Sequence, residues 1–194
     1  MTTTKQASEP SMEQRLGQAG RQLDGIVAKA RRARDHGKDQ AGRRVDLLRA
    51  REARMRTRLR ELRTADQATW DAQVVELDRE LDELEVEMAI TEARLDAELA
   101  ADDAAFGAAV DTELEAWSSR IEALQARAAA TRHHARATQE AAILRLREHQ
   151  AAARHQLQAF QNGSSREAPA QRAEVSQAMD DLDRAADEAA APPD

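Results

Sequence analysis

The fold is decided by residues 70–95, which read WDAQVVELDRELDELEVEMAITEARL. Large apolar residues recur there at alternating intervals of four and three positions, the heptad spacing of a helix that hides one narrow stripe against another helix. Half of the residues in between are Asp or Glu, which suit a solvent-facing side. The segment is therefore predicted to form a coiled coil, and its seam consists of Trp70, Val74, Leu77, Leu81, Leu84, Met88, Thr91 and Leu95.

The composition of the whole chain agrees with this interpretation. Leu, Ile, Val and Phe together make up only 30 of 194 residues, and 34% of the chain is charged. Such a composition often indicates disorder. However, more than half of the residues are Ala, Glu, Lys, Leu or Arg, a mixture that indicates long helices when it is periodic. We predict an all-α fold, an elongated antiparallel helical hairpin or coiled coil with a short C-terminal helix.

The N-terminal part carries weaker signals. Residues 1–11 are polar and predict a disordered tail. Residues 12–42 show a faint helical pattern that is interrupted by several glycines, each costing about 1 kcal/mol relative to Ala inside a helix. We therefore expect a weak helical region that depends on packing or frays.

Residues 43–161 contain no Pro and only one Gly, and they predict a long coiled-coil region. The heptad phase changes along it, so the region is either continuous with stutters or divided by bends. A stripe in a different phase follows the seam, at Phe106, Val110, Trp117, Ile121 and Leu124.

Two places carry residues suited to a bend. In 64–69, Thr64 and Gln67 have the spacing of a capping box. In 101–104, Asp102 is a candidate N-cap. A bend at the second place would give two arms of similar length, whereas a bend at the first would place a basic segment against an acidic one.

Charge is unevenly distributed over these segments. Residues 43–64 hold nine arginines and three acids, and residues 66–103 hold two arginines and fourteen acids. A basic helix can neutralise the phosphates of nucleic acid or anionic lipid head groups, although a solvated or acid-paired helix is the alternative. The candidate anion-binding residues are Arg49, Arg51, Arg54, Arg56, Arg58, Arg60 and Arg63.

The C-terminal part begins with a boundary. Residues 162–168 predict a linker in which Gly163 provides a left-handed helix C-cap. Residues 169–190 have a helical apolar stripe and predict a tail helix, and residues 191–194 are expected to be disordered.

Few residues in the chain suggest a catalytic or metal-binding site. There is no Cys, and His133, His134, His149 and His155 lack the spacing of metal ligands. We predict no catalytic residue, no cofactor and no metal site. The first residues do not form a secretory signal and no stretch is apolar enough to span a membrane, so we expect a cytoplasmic location.

Three sequence features resemble a loose group of small bacterial coiled-coil proteins, described as apolipoprotein-like or stress-response coiled-coil proteins. They are RLREL at 58–62, Trp70 ahead of LDRELDEL at 77–84, and the spacing of Phe106, Val110 and Trp117. This resemblance implies a long helical hairpin without catalytic residues.

These observations predict a non-enzymatic scaffolding or adaptor protein that acts through helix–helix pairing. Its partner would be a second copy of itself or another helical protein. The alternative hypothesis is an amphipathic helical protein that binds anionic lipid or nucleic acid through its arginine-rich stretches.

Overall fold

A computed structural model describes residues 5–35, 40–130, 133–164 and 166–190. Within these ranges every regular element is an α-helix, which confirms the all-α prediction. The helices divide into two compact units, residues 1–99 and 100–194, and the predicted elongated hairpin is not confirmed. The helices are α1 (Lys5–Asp35), α2 (Gln40–Thr64), α3 (Gln67–Leu99), α4 (Asp103–Ala130), α5 (His133–Asn162) and α6 (Ala168–Ala190).

In the first unit, α1, α2 and α3 all contact one another and share one apolar core. Each helix contributes residues at heptad spacing, so three narrow stripes close on one another. The stripe of α3 is the seam. The stripe of α1 is Met12, Leu16, Ala19, Leu23, Ile26, Ala30 and Ala33, and the stripe of α2 is Val45, Leu48, Glu52, Met55, Leu59 and Leu62.

Much of the predicted N-terminal tail is helical, because residues 5–11 belong to α1. Contacts hold this part of the helix in place. The indole N–H of Trp70 donates a hydrogen bond to the Ser8 hydroxyl at 3.2 Å, and Glu9 forms an ion pair with Arg63 at 2.9 Å. The prediction of disorder is therefore wrong for residues 5–11, and the four residues before them lie outside the described part of the chain.

The described residues of α1 are packed and not frayed, which is the first of the two alternatives predicted for residues 12–42. Leu16 and Leu23 are only 3% exposed, close to the 0–2% of the buried seam residues, and Ile26 is fully buried. The sequence hides this because three of the seven stripe positions are alanines, which give a faint periodic signal. Packing against α2 and α3 compensates for the glycines of α1, since tertiary burial supplies most of the stability of a helix in a folded protein.

A bend separates α2 from α3 within residues 64–69, but its cap differs from the predicted one. The Asp66 carboxylate accepts a hydrogen bond from the Thr69 backbone N–H at 2.8 Å, so Asp66 is the N-cap of α3. Thr64 is still part of α2, and its hydroxyl donates to the Glu61 carbonyl at 2.9 Å. The capping box between Thr64 and Gln67 is therefore wrong, because the nearer Asp66 satisfies the first turn.

A second interruption lies between α3 and α4, within residues 101–104. The Asp102 carboxylate accepts a hydrogen bond from the Ala105 backbone N–H at 2.8 Å, which is the N-cap role that its position indicates. Further along, α4 ends at Ala130 and α5 begins at His133, and the two residues between them lie outside the described ranges. The region 43–161 is thus divided among four helices.

In the second unit, α5 packs against both α4 and α6. The rings of Phe106 and Phe160 meet edge to face at 5.3 Å between centroids, joining the start of α4 to the end of α5. The predicted tail helix is part of this core, since its apolar stripe is buried. The buried stripe of α5 is Ile143, Leu146, Ala153, Leu157 and Phe160, and that of α6 is Ala168, Val175, Met179, Leu182 and Ala186.

The end of α5 differs from the predicted glycine C-cap. Gly163 does not adopt the left-handed conformation, and its N–H donates to the Phe160 carbonyl at 3.2 Å. The next residue, Ser164, pairs with Glu167 instead: its hydroxyl lies 2.9 Å and its backbone N–H 3.5 Å from the Glu167 carboxylate. This is the three-residue spacing of a capping box, so the turn into α6 needs no left-handed glycine.

Candidate functional site

The predicted helix-pairing residues lie inside the two units. In α3, Trp70, Leu77, Leu81, Leu84, Met88 and Leu95 are buried with the stripes of α1 and α2, and Val74 is partly buried against them. In α4, Phe106, Val110, Trp117 and Ile121 are buried, and Leu124 is half-buried. In the first unit, therefore, the seam is closed by helices of the same chain.

On the side of α3 that faces α1, one guanidinium group binds three carboxylates. Arg15 forms ion pairs with three carboxylates one helical turn apart, Asp78 at 2.6 Å, Asp82 at 2.5 Å and Glu85 at 2.9 Å. The hydrogen bond to Glu85 is the main reason why the pKa of Arg15 lies above its ordinary value.

About four turns further along α1, Lys29 repeats this arrangement. Its ammonium group lies 2.8 Å from Glu92 and 2.8 Å from Asp96, and the Gln22 amide donates to Glu92 at 3.1 Å. Burial opposes the charged form of both groups, but hydrogen bonds outweigh it. They raise the pKa of Lys29 and lower the pKa of Glu92.

The opposite side of α3 is held by α2. Arg51 lies 2.8 Å from both Glu83 and Glu87, and Arg58 lies 2.7 Å from Glu80. Burial lowers the pKa of Arg51, but the negative charge of Glu87 and the hydrogen bonds raise it overall. Two of the seven candidate anion-binding arginines therefore neutralise α3 within the chain.

Two more of the seven also meet carboxylates. Arg63, at the end of α2, pairs with Glu13 and, at 2.9 Å, with Glu9 of α1. Arg56 pairs with Glu52 of its own helix at 2.5 Å.

Glu52 was missed by the sequence analysis, although the heptad spacing of α2 from Leu48 to Met55 passes through it. It occupies a core position and is only 8% exposed. Arg56 covers it from the α1 side, and Gly20 makes room: a Cβ atom on Gly20 would lie 2.5 Å from the Arg56 guanidinium. These three residues thus pack together as one cluster between α1 and α2: Glu52, Arg56 and Gly20.

The remaining candidates, Arg49, Arg54 and Arg60, have exposed side chains. Within the described part of the chain, none of them forms an ion pair, and Arg60 donates a hydrogen bond only to the Thr57 hydroxyl at 3.0 Å and the Arg56 carbonyl at 3.4 Å. The predicted anion-binding set therefore separates into four arginines with carboxylate partners and three that face solvent.

In the second unit, an open depression lies where α4 and α6 begin. Arg172 crosses it, lying 4.4 Å from the Phe106 ring centroid, 3.1 Å from the Ala100 carbonyl and 3.8 Å from Asp103. Aromatic, carbonyl and carboxylate contacts on one guanidinium hold these helix ends together, so we assign Arg172 a structural role.

The described histidines give no metal site. His155 is exposed and His149 is half-buried, while the side chains of His133 and His134 lie outside the described residues. Among the side chains that the structure describes, no three His, Asp or Glu residues are grouped as metal ligands. No helix in the described ranges is both long enough and apolar enough to cross a membrane.

No protein-family model, curated protein or solved structure matches this chain. The resemblance to small coiled-coil proteins therefore stays a prediction.

Proposed function

We propose that the protein is a non-enzymatic scaffolding or adaptor protein of the cytoplasm, which presents folded helical bundles to a partner. The partner would be another copy of the chain or another helical protein. The observation that supports this most is the closure of the seam inside the first unit, where Leu77, Leu81 and Leu84 are at most 1% exposed. Helix pairing is then satisfied within the chain, and a partner would meet the outer faces of the helices.

The ion pairs on both sides of α3 support the same proposal. Arg15 and Lys29 join it to α1, whereas Arg51 and Arg58 join it to α2. Each exposed pair contributes about 0.2–1 kcal/mol, but together they fix the order and direction of the three helices. A bundle held in this way keeps the same outer surface in every copy, which a scaffold requires.

Photo-crosslinking in the cells that produce the protein tests this proposal. Three large apolar residues, Leu47, Val75 and Leu144, are 59–73% exposed on three different helices. Each can be replaced by a photoreactive phenylalanine derivative without disturbing the core. We expect a protein adduct from at least one position, lost when irradiation is omitted. A folded protein that gives no protein adduct at any of the three positions would contradict a scaffolding or adaptor role.

A further inference from the structure

Between Asp46 and Glu61, the exposed side of α2 carries positive charge only. The one acid in this interval is Glu52, which is buried. The exposed charged residues are Arg49, Arg54, Arg56 and Arg60, which we call the basic face.

Three members of the basic face, Arg49, Arg56 and Arg60, lie on one side of α2, and Arg54 lies about 140° further round the helix. Arg49 and Arg60 are eleven residues apart, which is three helical turns, so they lie on the same side of α2 about 16 Å from one another. Arg56 lies one turn from Arg60, and its guanidinium lies beside Gly20 of α1. The residue after that glycine, Arg21, is also exposed and extends the positive charge onto α1.

These charges are accessible to an external ligand. In the described part of the chain, Arg49, Arg54 and Arg60 form no ion pair, unlike Arg51 and Arg58 on the side that faces α3. An external anion would therefore not need to displace an internal carboxylate from them. Because α2 is packed against both α1 and α3, the guanidinium groups project from a fixed helix.

We propose that the basic face binds the phosphate backbone of duplex nucleic acid. A guanidinium group donates two parallel hydrogen bonds to a phosphate, which makes Arg the preferred residue for this contact. Duplex DNA carries about one negative charge per 1.7 Å of its axis. Three arginines on one side of a helix, Arg49, Arg56 and Arg60, can thus meet more than one phosphate at once, without reading the base sequence.

Other anionic partners fit the face less well. Binding to a membrane surface relies on an apolar side that enters the acyl region, but the apolar stripes of α1 and α2 point into the core. Binding to single strands relies on aromatic side chains that stack on bases, and all four aromatic residues of the chain are buried. A duplex needs neither feature.

Fluorescence anisotropy with a labelled DNA duplex, two helical turns long, tests the proposal on the full chain. We expect binding at about 50 mM salt that weakens as salt rises, with a log–log slope near −3 for three to four neutralised phosphates. The triple variant R49Q/R54Q/R60Q should bind at least tenfold more weakly and show a smaller slope. Circular dichroism should be unchanged, because these side chains have no ion pair to lose.

The matched control is R145Q/R147Q/R166Q, which removes three exposed arginines from the second unit. It should bind DNA like the original protein. The proposal is overturned if the original protein does not bind at about 50 mM salt, or if both variants bind equally well. It is also overturned if vesicles of anionic phospholipid are bound through the basic face but the duplex is not. None of these outcomes alters the photo-crosslinking result, so the two proposals fail separately.

Discussion

Glu52 shows how a single residue departs from the pattern around it. A carboxylate at a core position is costly unless it is paired, and here Arg56 supplies the pair while Gly20 on the facing helix gives that arginine room. The heptad spacing places Glu52 correctly on the core side of α2. It cannot predict Gly20 as the neighbour, because that contact depends on the register between two helices.

This arrangement makes two glycines of α1 respond differently to alanine. In a helix interior, Ala is more favourable than Gly by about 0.5–1 kcal/mol. A Cβ atom on Gly25 would meet nothing within 4 Å, whereas one on Gly20 would lie 2.5 Å from Arg56 and push it away from Glu52. We expect urea unfolding to show a gain of about 0.5–1 kcal/mol for Gly25→Ala and a smaller gain or a loss for Gly20→Ala. Equal gains would contradict the predicted role of Gly20.

The ion pair between Lys29 and Glu92 stabilises the folded protein at neutral pH, and this stabilisation is lost at both low and high pH. The pKa of Glu92 is lowered in the folded state. The contribution of ionised Glu92 to the free energy of unfolding is therefore present above its unfolded pKa of about 4.3. It is lost as the pH falls through the folded pKa. The pKa of Lys29 is raised, so its contribution is present below about pH 10.4 and is lost as the pH rises through the folded pKa.

The variant Glu92→Gln isolates the acidic part of this dependence. At pH 7 it should be less stable than the original protein by about 0.5 kcal/mol, which is typical of a partly exposed pair. The difference should disappear at low pH, where the carboxyl group of the original protein is neutral as well. Chemical unfolding at several pH values measures it, and a difference that stays constant over the whole range would mean that the pair does not contribute.

Of the helices in the first unit, α3 has a buried stripe that is easy to predict from the sequence, and α1 has one that is hard to predict. The seam of α3 was readable because its positions hold Leu, Met and Trp between acids. The stripe of α1 follows the same spacing, but Ala19, Ala30 and Ala33 leave little apolar contrast with its outer face. The ends of the helices were only partly predictable, because several neighbouring polar residues can act as the N-cap and the local backbone geometry decides which one does.

The docking of α1 can be tested with a pair of leucines. Leu23 in α1 is 3% exposed, whereas Leu47 in α2 is 70% exposed. Truncating a buried leucine costs about 2–5 kcal/mol, because it removes apolar contacts and leaves a cavity. We expect Leu23→Ala to lower the free energy of unfolding by this amount and Leu47→Ala to change it by less than about 0.5 kcal/mol. If Leu23→Ala had no effect, α1 would not be part of the core.

A similar pair tests the seam of α3. Leu81 is 1% exposed and Val75 on the same helix is 73% exposed. An aspartate at Leu81 would bury an unpaired charge, so Leu81→Asp should lower the melting temperature severely or prevent folding. Val75→Asp should leave the melting temperature nearly unchanged. Similar melting temperatures for the two variants would show that the seam is not buried.

The charge distribution along the whole chain could be predicted from the sequence, but the individual ion pairs that it forms between helices could not. The carboxylates of α3 form ion pairs with Arg and Lys side chains of both α1 and α2. The sequence predicted such pairing of a basic with an acidic segment if the chain bends near residue 66. The extent of folding was harder to predict, because a stutter in a continuous helix and a bend between two helices give the same change of heptad phase. Asp66 and Asp102 cap new helices at these points without any Gly or Pro in the turns.

The seam of α3 is closed by α1 and α2 of the same chain, and chemical crosslinking between α1 and α3 tests this directly. The chain contains no cysteine, so the double variant Gln22→Cys, Glu92→Cys adds one reactive residue to α1 and one to α3, where the two original side chains are hydrogen-bonded at 3.1 Å. After reaction with a short bis-maleimide at low protein concentration, mass spectrometry should find a linked product with the mass of one chain. A product with the mass of two chains would show instead that the seam is closed by a second copy.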